Sequence, residues 1–203
     1  MLKLIAVIAI VSTVASCVIA VLRFGERLLP ASRLIDRISQ AAGVCASCMV
    51  LLACLVSAGN AVSRYAISAS SNAWLEVQWY MFAGMVLLGA AETLRRNEHV
   101  RVDLFYGWAS RRTREWIDLI GAVVFLMPMC LVMIYFTWPL FVESWTSNEA
   151  SNNAGGLPRW PVKLLLPVGF ALLALQGVSE MIKRAAALHG LQVEGAGYQQ
   201  PLQ

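Results

Sequence analysis

Residues 119–142 read LIGAVVFLMPMCLVMIYFTWPLFV, a run without Asp, Glu, Lys or Arg. A membrane-spanning helix needs about 20 mostly apolar residues, so this run is long enough to cross a bilayer. Uncharged runs at 4–22 and 38–63 also suffice, and shorter runs at 77–91 and 164–179 need a few flanking residues. Because the runs are continuous and do not alternate, they favour membrane helices over barrel strands.

The composition excludes an ordinary soluble domain. Hydrophobic residues make up 59% of the 203 residues and charged residues only 14%, whereas soluble domains carry about 25% charged residues. The net charge of +4 comes from arginines that flank apolar runs. This placement is typical of positive-inside topology, and we find no basic face of the kind that binds nucleic acid.

We predict an all-α integral membrane protein with four core transmembrane helices and an extra N-terminal one. The predicted spans are 3–23, 41–64, 76–95, 115–140 and 162–184. The predicted organisation is an extra N-terminal helix (1–24), an interfacial amphipathic arm (25–40), a four-helix membrane domain (41–186) and a flexible cytoplasmic tail (187–203).

Basic residues set the predicted orientation. Segments 23–40, 95–114 and 183–203 together hold 12 of the 16 Lys and Arg residues, so they are expected on the cytoplasmic side. The C-terminus is then cytoplasmic and Met1 lies on the opposite side. We predict that 30–40 and 99–114 are amphipathic helices at the membrane surface, the first with Pro30 in its first turn.

The first 22 residues admit another interpretation. A single Lys3 followed by an apolar run resembles a signal peptide, and residues 14–17 resemble a lipoprotein cleavage box. The apolar run continues beyond Cys17 to Leu22, however, and no soluble domain follows. We therefore expect a retained helix.

Tryptophan near the ends of the predicted spans is typical of membrane proteins generally. The predicted membrane-interface anchors are Trp74, Trp79, Trp108, Trp116, Trp138, Trp145 and Trp160. They indicate where the spans end and carry no functional information.

The span centres contain almost no ionisable residues, which argues against a proton relay, a substrate pathway or a stand-alone exporter. We predict no catalytic residue, no metal ligand and no cofactor. One alternative is a membrane thiol–disulfide oxidoreductase that uses Cys45 and Cys48, a C-x-x-C pair. Against it, the predicted outer loops contain no second cysteine pair, and two small residues in a packed helix explain the motif equally well.

Small residues and charged helix ends supply the candidate interface residues. Small faces let membrane helices approach closely, either within the chain or against another subunit. We expect Glu76 to pair with Arg64 across a short loop, and His99 to meet Asp103 on one helical face. The candidate interface and helix-end residues are Arg64, Tyr65, Glu76, Gly84, Gly89, Ala90, Ala91, His99 and Asp103.

Several ordered motifs resemble one family. SRY at 63–65 closes one span, WLE at 74–76 opens the next, and LGAA at 88–91 leads to EHVRVD at 98–103. GLP at 156–158 and LPVGF at 166–170, with LLALQ following at 172–176, complete the set. Together they resemble the small membrane subunit, of DctQ type, of tripartite ATP-independent periplasmic (TRAP) transporters.

The resemblance covers about 33–186, and the helix at 3–23 is additional to the usual four. It implies a non-catalytic scaffold in the bacterial inner membrane, surrounded by phospholipid, whose partners are a large TRAP membrane subunit and a periplasmic substrate-binding protein. It places sodium and the organic-acid substrate on the large subunit, and implies a core without buried charges.

Overall fold

The structure, a computed structural model, describes the backbone of residues 2–68, 71–98, 109–153 and 155–191. Burial and contacts are described for Gly25 and for the residues of these ranges from Arg27 onward. The helices are α1 (Leu2–Ala66), α2 (Asn72–Arg96), α3 (Arg111–Gly121), a π-helical segment (Ala122–Leu126), α4 (Met127–Thr146) and α5 (Trp160–Leu188). The described part of the chain is therefore all-α, as predicted. Three of the predicted features lie wholly or partly outside the described residues: the side chains of the extra N-terminal helix, most of the 99–114 connector, and residues 192–203 of the predicted tail.

The N-terminal part of the chain differs from the prediction. Helix α1 is continuous over 65 residues, where the sequence indicated a span, an interfacial arm and a second span. Placing Pro30 in the first turn of a helix is therefore wrong, because Pro30 lies inside α1. Tertiary packing explains the continuity: Ser32 is buried on one side of Pro30, and on the other a Cβ at Gly25 would lie 3.5 Å from Ala185 Cβ of α5.

Three helical segments of the described chain are long and apolar enough to cross a membrane: Arg27–Ala66, Arg111–Thr146 and Trp160–Leu188. They contain the predicted spans 41–64, 115–140 and 162–184. Helix α2 contains the predicted span 76–95 and has 25 residues, but polar side chains such as Gln78 and Glu92 lower its mean hydropathy.

A change of helix type separates α3 from α4. The π-helical segment Ala122–Leu126 ends with the Met127 amide donating to the Ala122 carbonyl, one residue further back than in an α-helix. Pro128 follows directly, and its ring has no N–H to continue an α-helical ladder. A local π-turn accommodates such a residue without ending the helix.

The chain forms two compact units. The first contains Met1–Ile38, Thr93–Val132 and Leu173–Gln203, and the second contains Ser39–Glu92 and Met133–Leu172. The core of the first unit combines apolar residues of α3, α4 and α5 with buried charged groups; its apolar members include Leu119, Cys130, Met181, Ile182 and Ala185. In the second unit, Ala46 of α1 and Ala91 of α2 are buried.

Candidate functional site

The first unit contains a buried ion cluster on α5. Gln176, Ser179, Glu180, Lys183 and Arg184 are all buried. Their spacing of three, four and seven residues places them along adjoining faces of one helix. The described chain therefore has a strongly polar interior at this position, and the expectation of a core without buried charges is wrong.

Asp36 of α1 is the acceptor at one end of this cluster. Its carboxylate receives hydrogen bonds from Gln176 Nε2 at 3.0 Å, Ser179 Oγ at 2.8 Å and Lys183 Nζ at 2.9 Å. Lys183 also donates to Glu180 at 2.8 Å. These bonds join α1 to α5. A buried lysine is stable only when its charge is paired and hydrogen-bonded, so separating the two helices would leave Lys183 without its Asp36 partner.

Arg184 is the donor at the other end. Its guanidinium lies 3.0 Å from a Glu115 oxygen and 3.3 Å from an Asp118 oxygen, both on α3. It also lies 4.0 Å from Glu180, four residues earlier on α5. Glu115 and Arg184 are both buried, so the pair is shielded from solvent and joins α3 to α5.

The charged groups of this cluster neutralise one another. Each of its four carboxylates, on Asp36, Glu115, Asp118 and Glu180, lies within 4.0 Å of Lys183 or Arg184. None is left as an isolated buried base. Across the residues the structure describes, no group of three His, Cys, Asp or Glu side chains is arranged to hold a metal ion.

A second polar site lies in the second unit, where Glu76 holds the loop between α4 and α5. One Glu76 oxygen accepts from Ser151 Oγ and from Asn153 Nδ2, the latter at 2.7 Å, and the other accepts from the Leu157 amide at 2.8 Å. The expected pair of Glu76 with Arg64 is therefore replaced by bonds to residues 151–157.

The loop has its own hydrogen bonds. Ser151 N donates to Leu157 O at 3.0 Å, and Gly156 N donates to Asn153 O at 2.9 Å. Gly155 has φ 71°, a conformation that glycine adopts without steric cost. Tyr80 Oη donates to the Pro158 carbonyl at 3.1 Å, which fastens the loop to α2 a second time.

Charges and aromatic rings join the ends of this loop. Glu149 pairs with Lys163 and lies 3.5 Å from Arg159. The hydrogen bond from the Lys163 ammonium holds the pKa of the Glu149 carboxyl below its ordinary value of 4.5. Trp145 and Trp160 pack edge to face with ring centroids 4.6 Å apart.

The predicted small residues of α2 face residues of the same unit. A Cβ at Gly84 would lie 2.6 Å from Met49 Sδ, and one at Gly89 would lie 3.6 Å from Ala46 Cβ. Ala91 is fully buried and Ala90 is half-buried. These contacts assign Gly84 and Gly89 to packing within the chain, where the sequence left packing against another subunit equally open.

Four predicted interface and helix-end residues remain: Arg64, Tyr65, His99 and Asp103. Arg64 and Tyr65 are exposed near the end of α1. His99, Asp103 and Trp108 lie outside the described residues, so their predicted roles stay predictions. The six other predicted tryptophan anchors are exposed or half-buried: Trp74, Trp79, Trp116, Trp138, Trp145 and Trp160.

Cys45 and Cys48 are exposed, free cysteines on α1. In the part of the chain that the structure describes, they share this state with Cys54, which is also free and exposed on the same helix. The thiol–disulfide alternative therefore gains no support from a partner residue or an enclosed site within the described chain.

Sequence reasoning missed the buried cluster. The α5 residues of the cluster show a helical spacing in the sequence, since Glu180 and Arg184 are four residues apart and Gln176 lies one turn before Glu180. The missing observation was that Asp36 in the predicted surface arm contacts Lys183. An acidic residue on one helix and a lysine 147 positions later give no local sequence signal.

Taken together, these features define an all-α membrane protein with a buried cluster of charges that are paired with one another within the chain. The chain belongs to the family described as "Tripartite ATP-independent periplasmic transporters, DctQ component", which matches residues 53–187. The family accounts for about two thirds of the sequence, and it confirms the resemblance seen in the ordered motifs. It makes the chain a component of a transporter.

Two characterised relatives have the same printed name, "C4-dicarboxylate TRAP transporter small permease protein DctQ". The relative from Vibrio cholerae serotype O1 is 27% identical, over 60% of this chain and 61% of its own length. The relative from Pseudomonas aeruginosa is 24% identical, over 51% of this chain and 50% of its own length. Both matches therefore span less than two thirds of the relatives.

Proposed function

We propose that this chain is the non-catalytic small permease subunit of a TRAP transporter, which scaffolds a larger membrane subunit that carries the solute. The observation that carries this proposal is the family match over residues 53–187. The arrangement of charges supports it, because the cluster carboxylates are occupied by cations of the same chain and are poorly placed to receive a solute.

The distribution of apolar surface supports a scaffold. Only 6% of the most apolar stretch of Arg27–Ala66 is buried inside the chain. Large side chains such as Leu51, Leu55 and Val62 are each more than half exposed. This surface needs lipid or another apolar protein surface to cover it.

We propose four core membrane helices in the bacterial inner membrane, with the Arg27–Ala66 part of α1 as the first crossing. In this topology α2 crosses the bilayer as well as the three strongly apolar segments, since its 25 residues extend about 37 Å. The excess of Lys and Arg supports a cytoplasmic C-terminus. A periplasmic Met1 would require a turn between two crossings, and the continuous helix α1 contains none from Leu2 to Ala66.

In this orientation the loop held by Glu76 faces the periplasm. We propose that it supports docking of a periplasmic binding protein, because its backbone is fixed by Glu76 and Tyr80. The transported solute is proposed to be an organic acid, since both characterised relatives are named for C4-dicarboxylates. Sodium binding is assigned to the large subunit and not to this chain, and phospholipid surrounds both.

Co-purification tests the proposal. The chain is tagged and co-expressed with a candidate large TRAP membrane subunit, and the complex is isolated in a mild detergent. We expect a stable complex that takes up an organic acid in vesicles only when the large subunit and a binding protein are present. Solute uptake by this chain alone would overturn the scaffold role.

A further inference from the structure

A cavity of about 380 Å³ lies in the first unit, between the start of α3 and the end of α5. Its α3 side is lined by Arg111, Arg112 and Glu115. Its α5 side is lined mainly by apolar groups, those of Ala187, Leu188 and Leu191. The cavity therefore combines two cationic side chains with an apolar wall.

The two arginines have no carboxylate partner in the described chain. Both are exposed, and neither has an ion pair with any residue in the described ranges. Their neighbour Arg114 is used differently, because its Nε donates to the Ala109 carbonyl at 3.0 Å. The Glu115 carboxylate, which also lines the cavity, accepts a hydrogen bond from Arg184 at 3.0 Å and forms no ion pair with Arg111 or Arg112 in the described chain.

The position of these arginines is unfavourable for the helix itself. The first turn of α3 contains no acidic residue, although it is the positive end of the helix dipole. Arg111 and Arg112 add two positive charges at this end. An anion in the adjoining cavity would remove this repulsion, and the guanidinium groups can bind phosphate oxygens through two hydrogen bonds each.

The wall opposite the arginines is fixed by the end of α5. Gly190 has φ 89°, the Leu191 amide donates to Ala186 O at 3.2 Å, and the Gly190 amide donates to Ala187 O at 3.0 Å. This pair of bonds is the Schellman arrangement, which turns the chain back after the helix. The turn brings Leu191 to the cavity beside Leu188.

We propose that this cavity binds the phosphate headgroup of an anionic phospholipid, with Arg111 and Arg112 on the phosphate and Leu188 and Leu191 against the start of the acyl chains. An amphiphile fits both walls, whereas a free phosphate ion would leave the apolar wall without a partner. The inference does not depend on the scaffold role, because it follows from the cavity alone.

The test uses the purified full-length chain in nonionic detergent micelles that contain either phosphatidylglycerol or phosphatidylcholine. Bound lipid is measured by native mass spectrometry and by phosphorus content. We expect phosphatidylglycerol to be retained in preference, and the double variant Arg111→Gln/Arg112→Gln to weaken its binding at least about tenfold, since one charge-assisted hydrogen bond contributes about that factor. Arg111→Lys/Arg112→Lys should restore part of the binding.

The matched control is Arg33→Gln/Arg37→Gln, which removes two exposed arginines of α1 that do not line the cavity. This control should bind phosphatidylglycerol like the wild type. Equal losses in both double variants would indicate a general charge effect and overturn the site. No loss in either variant would indicate that Arg111 and Arg112 do not hold the lipid, which also overturns the site.

A third arm separates the possible sources of phosphate. Inorganic phosphate at millimolar concentration should fail to displace phosphatidylglycerol, because it makes no contact with the apolar wall. Displacement by phosphate as effective as that by added lipid would replace the lipid proposal by a small-anion site. Leu191→Glu should also weaken lipid binding, and thermal unfolding of each variant would show that it remains folded.

Discussion

Asp36 and Lys183 are joined by a contact of 2.9 Å across 147 residues of sequence. The Lys183 side chain is only 5% exposed, while that of Asp36 is 22% exposed. Lys183 is therefore the more strongly buried partner, and the carboxylates of Asp36 and Glu180 compensate its buried positive charge. This relationship makes the stability of the first unit depend on a residue in the predicted surface arm.

We expect Asp36→Asn to lower the free energy of unfolding by about 3 kcal/mol, since it removes one partner of a buried charge. Unfolding in detergent, followed by tryptophan fluorescence, measures the change. Asp36→Asn/Lys183→Met should recover much of the loss, because the buried charge is removed with its partner. A single variant as stable as Arg37→Gln, a change at an exposed residue one position away, would contradict the assigned role.

Adding a single methyl group at Gly169 of α5 should destabilise the protein. A Cβ there would lie 2.7 Å from Leu87 Cβ and 3.1 Å from the Leu87 carbonyl oxygen. Because the carbonyl belongs to the backbone of α2, it cannot move aside easily, and Gly169→Ala should cost about 1–3 kcal/mol. Thermal unfolding measures the cost.

The matched control is Gly59→Ala on α1, where no atom lies within 4 Å of the added Cβ. Alanine has a higher helix propensity than glycine, so this variant should gain about 0.5–1 kcal/mol. Opposite signs at the two positions are expected. Similar stability changes in both variants would show that the approach of α5 to α2 at Leu87 is looser than described.

Glu76→Gln should release the loop between α4 and α5. Glutamine has only one acceptor oxygen, so it cannot accept both from the Leu157 amide and from the Ser151 and Asn153 side chains. We expect hydrogen exchange at residues 151–157 to accelerate several-fold, with little change elsewhere in the second unit. Glu143→Gln, at an exposed helical residue, is the control and should leave exchange unchanged.

The Glu149–Lys163 pair predicts a pH dependence. The Lys163 hydrogen bond lowers the folded-state pKa of Glu149 below 4.5, so Glu149 stabilises the folded loop at pH values above 4.5. This contribution should be lost as the pH falls below 4.5, through the folded-state pKa. Loop protection from exchange, compared between pH 6 and pH 3, should decline less in Glu149→Gln than in wild type. A parallel decline in both would reject the assignment.

Cys45→Ala/Cys48→Ala should leave solute uptake by the complete transporter unchanged. Both thiols are exposed on one helix and no partner for a redox reaction lies beside them in the described chain. Uptake by vesicles that contain all subunits is the measurement. Loss of uptake with normal assembly would restore the thiol–disulfide alternative.

The periodic and compositional features of this protein were predictable, and the contacts between distant residues were not. The run at 119–142 predicted the membrane segment Arg111–Thr146, and the ordered motifs predicted the family. Glu76 was identified as a helix-end residue, but its partners were misassigned because Arg64 is close in sequence while Leu157 is 81 positions away.

Local rules also misplaced Pro30. Proline usually marks the start of a helix, but helices held by neighbouring elements tolerate it in their interior. Here the packing of Gly25 and Ser32 outweighs the lost hydrogen bond. Neither contact is visible from the residues around Pro30, since both depend on α5.

The separation of Asp36 from Lys183 also has a consequence for biogenesis. At a translation rate of about 5–20 residues per second, the lysine emerges on the order of ten seconds after the aspartate. Throughout that interval the nascent chain carries a carboxylate whose partner does not yet exist. Synthesis of α5 therefore completes the pairing of the buried charges. A polypeptide released before that point would carry an unpaired carboxylate and would be a better substrate for membrane proteases.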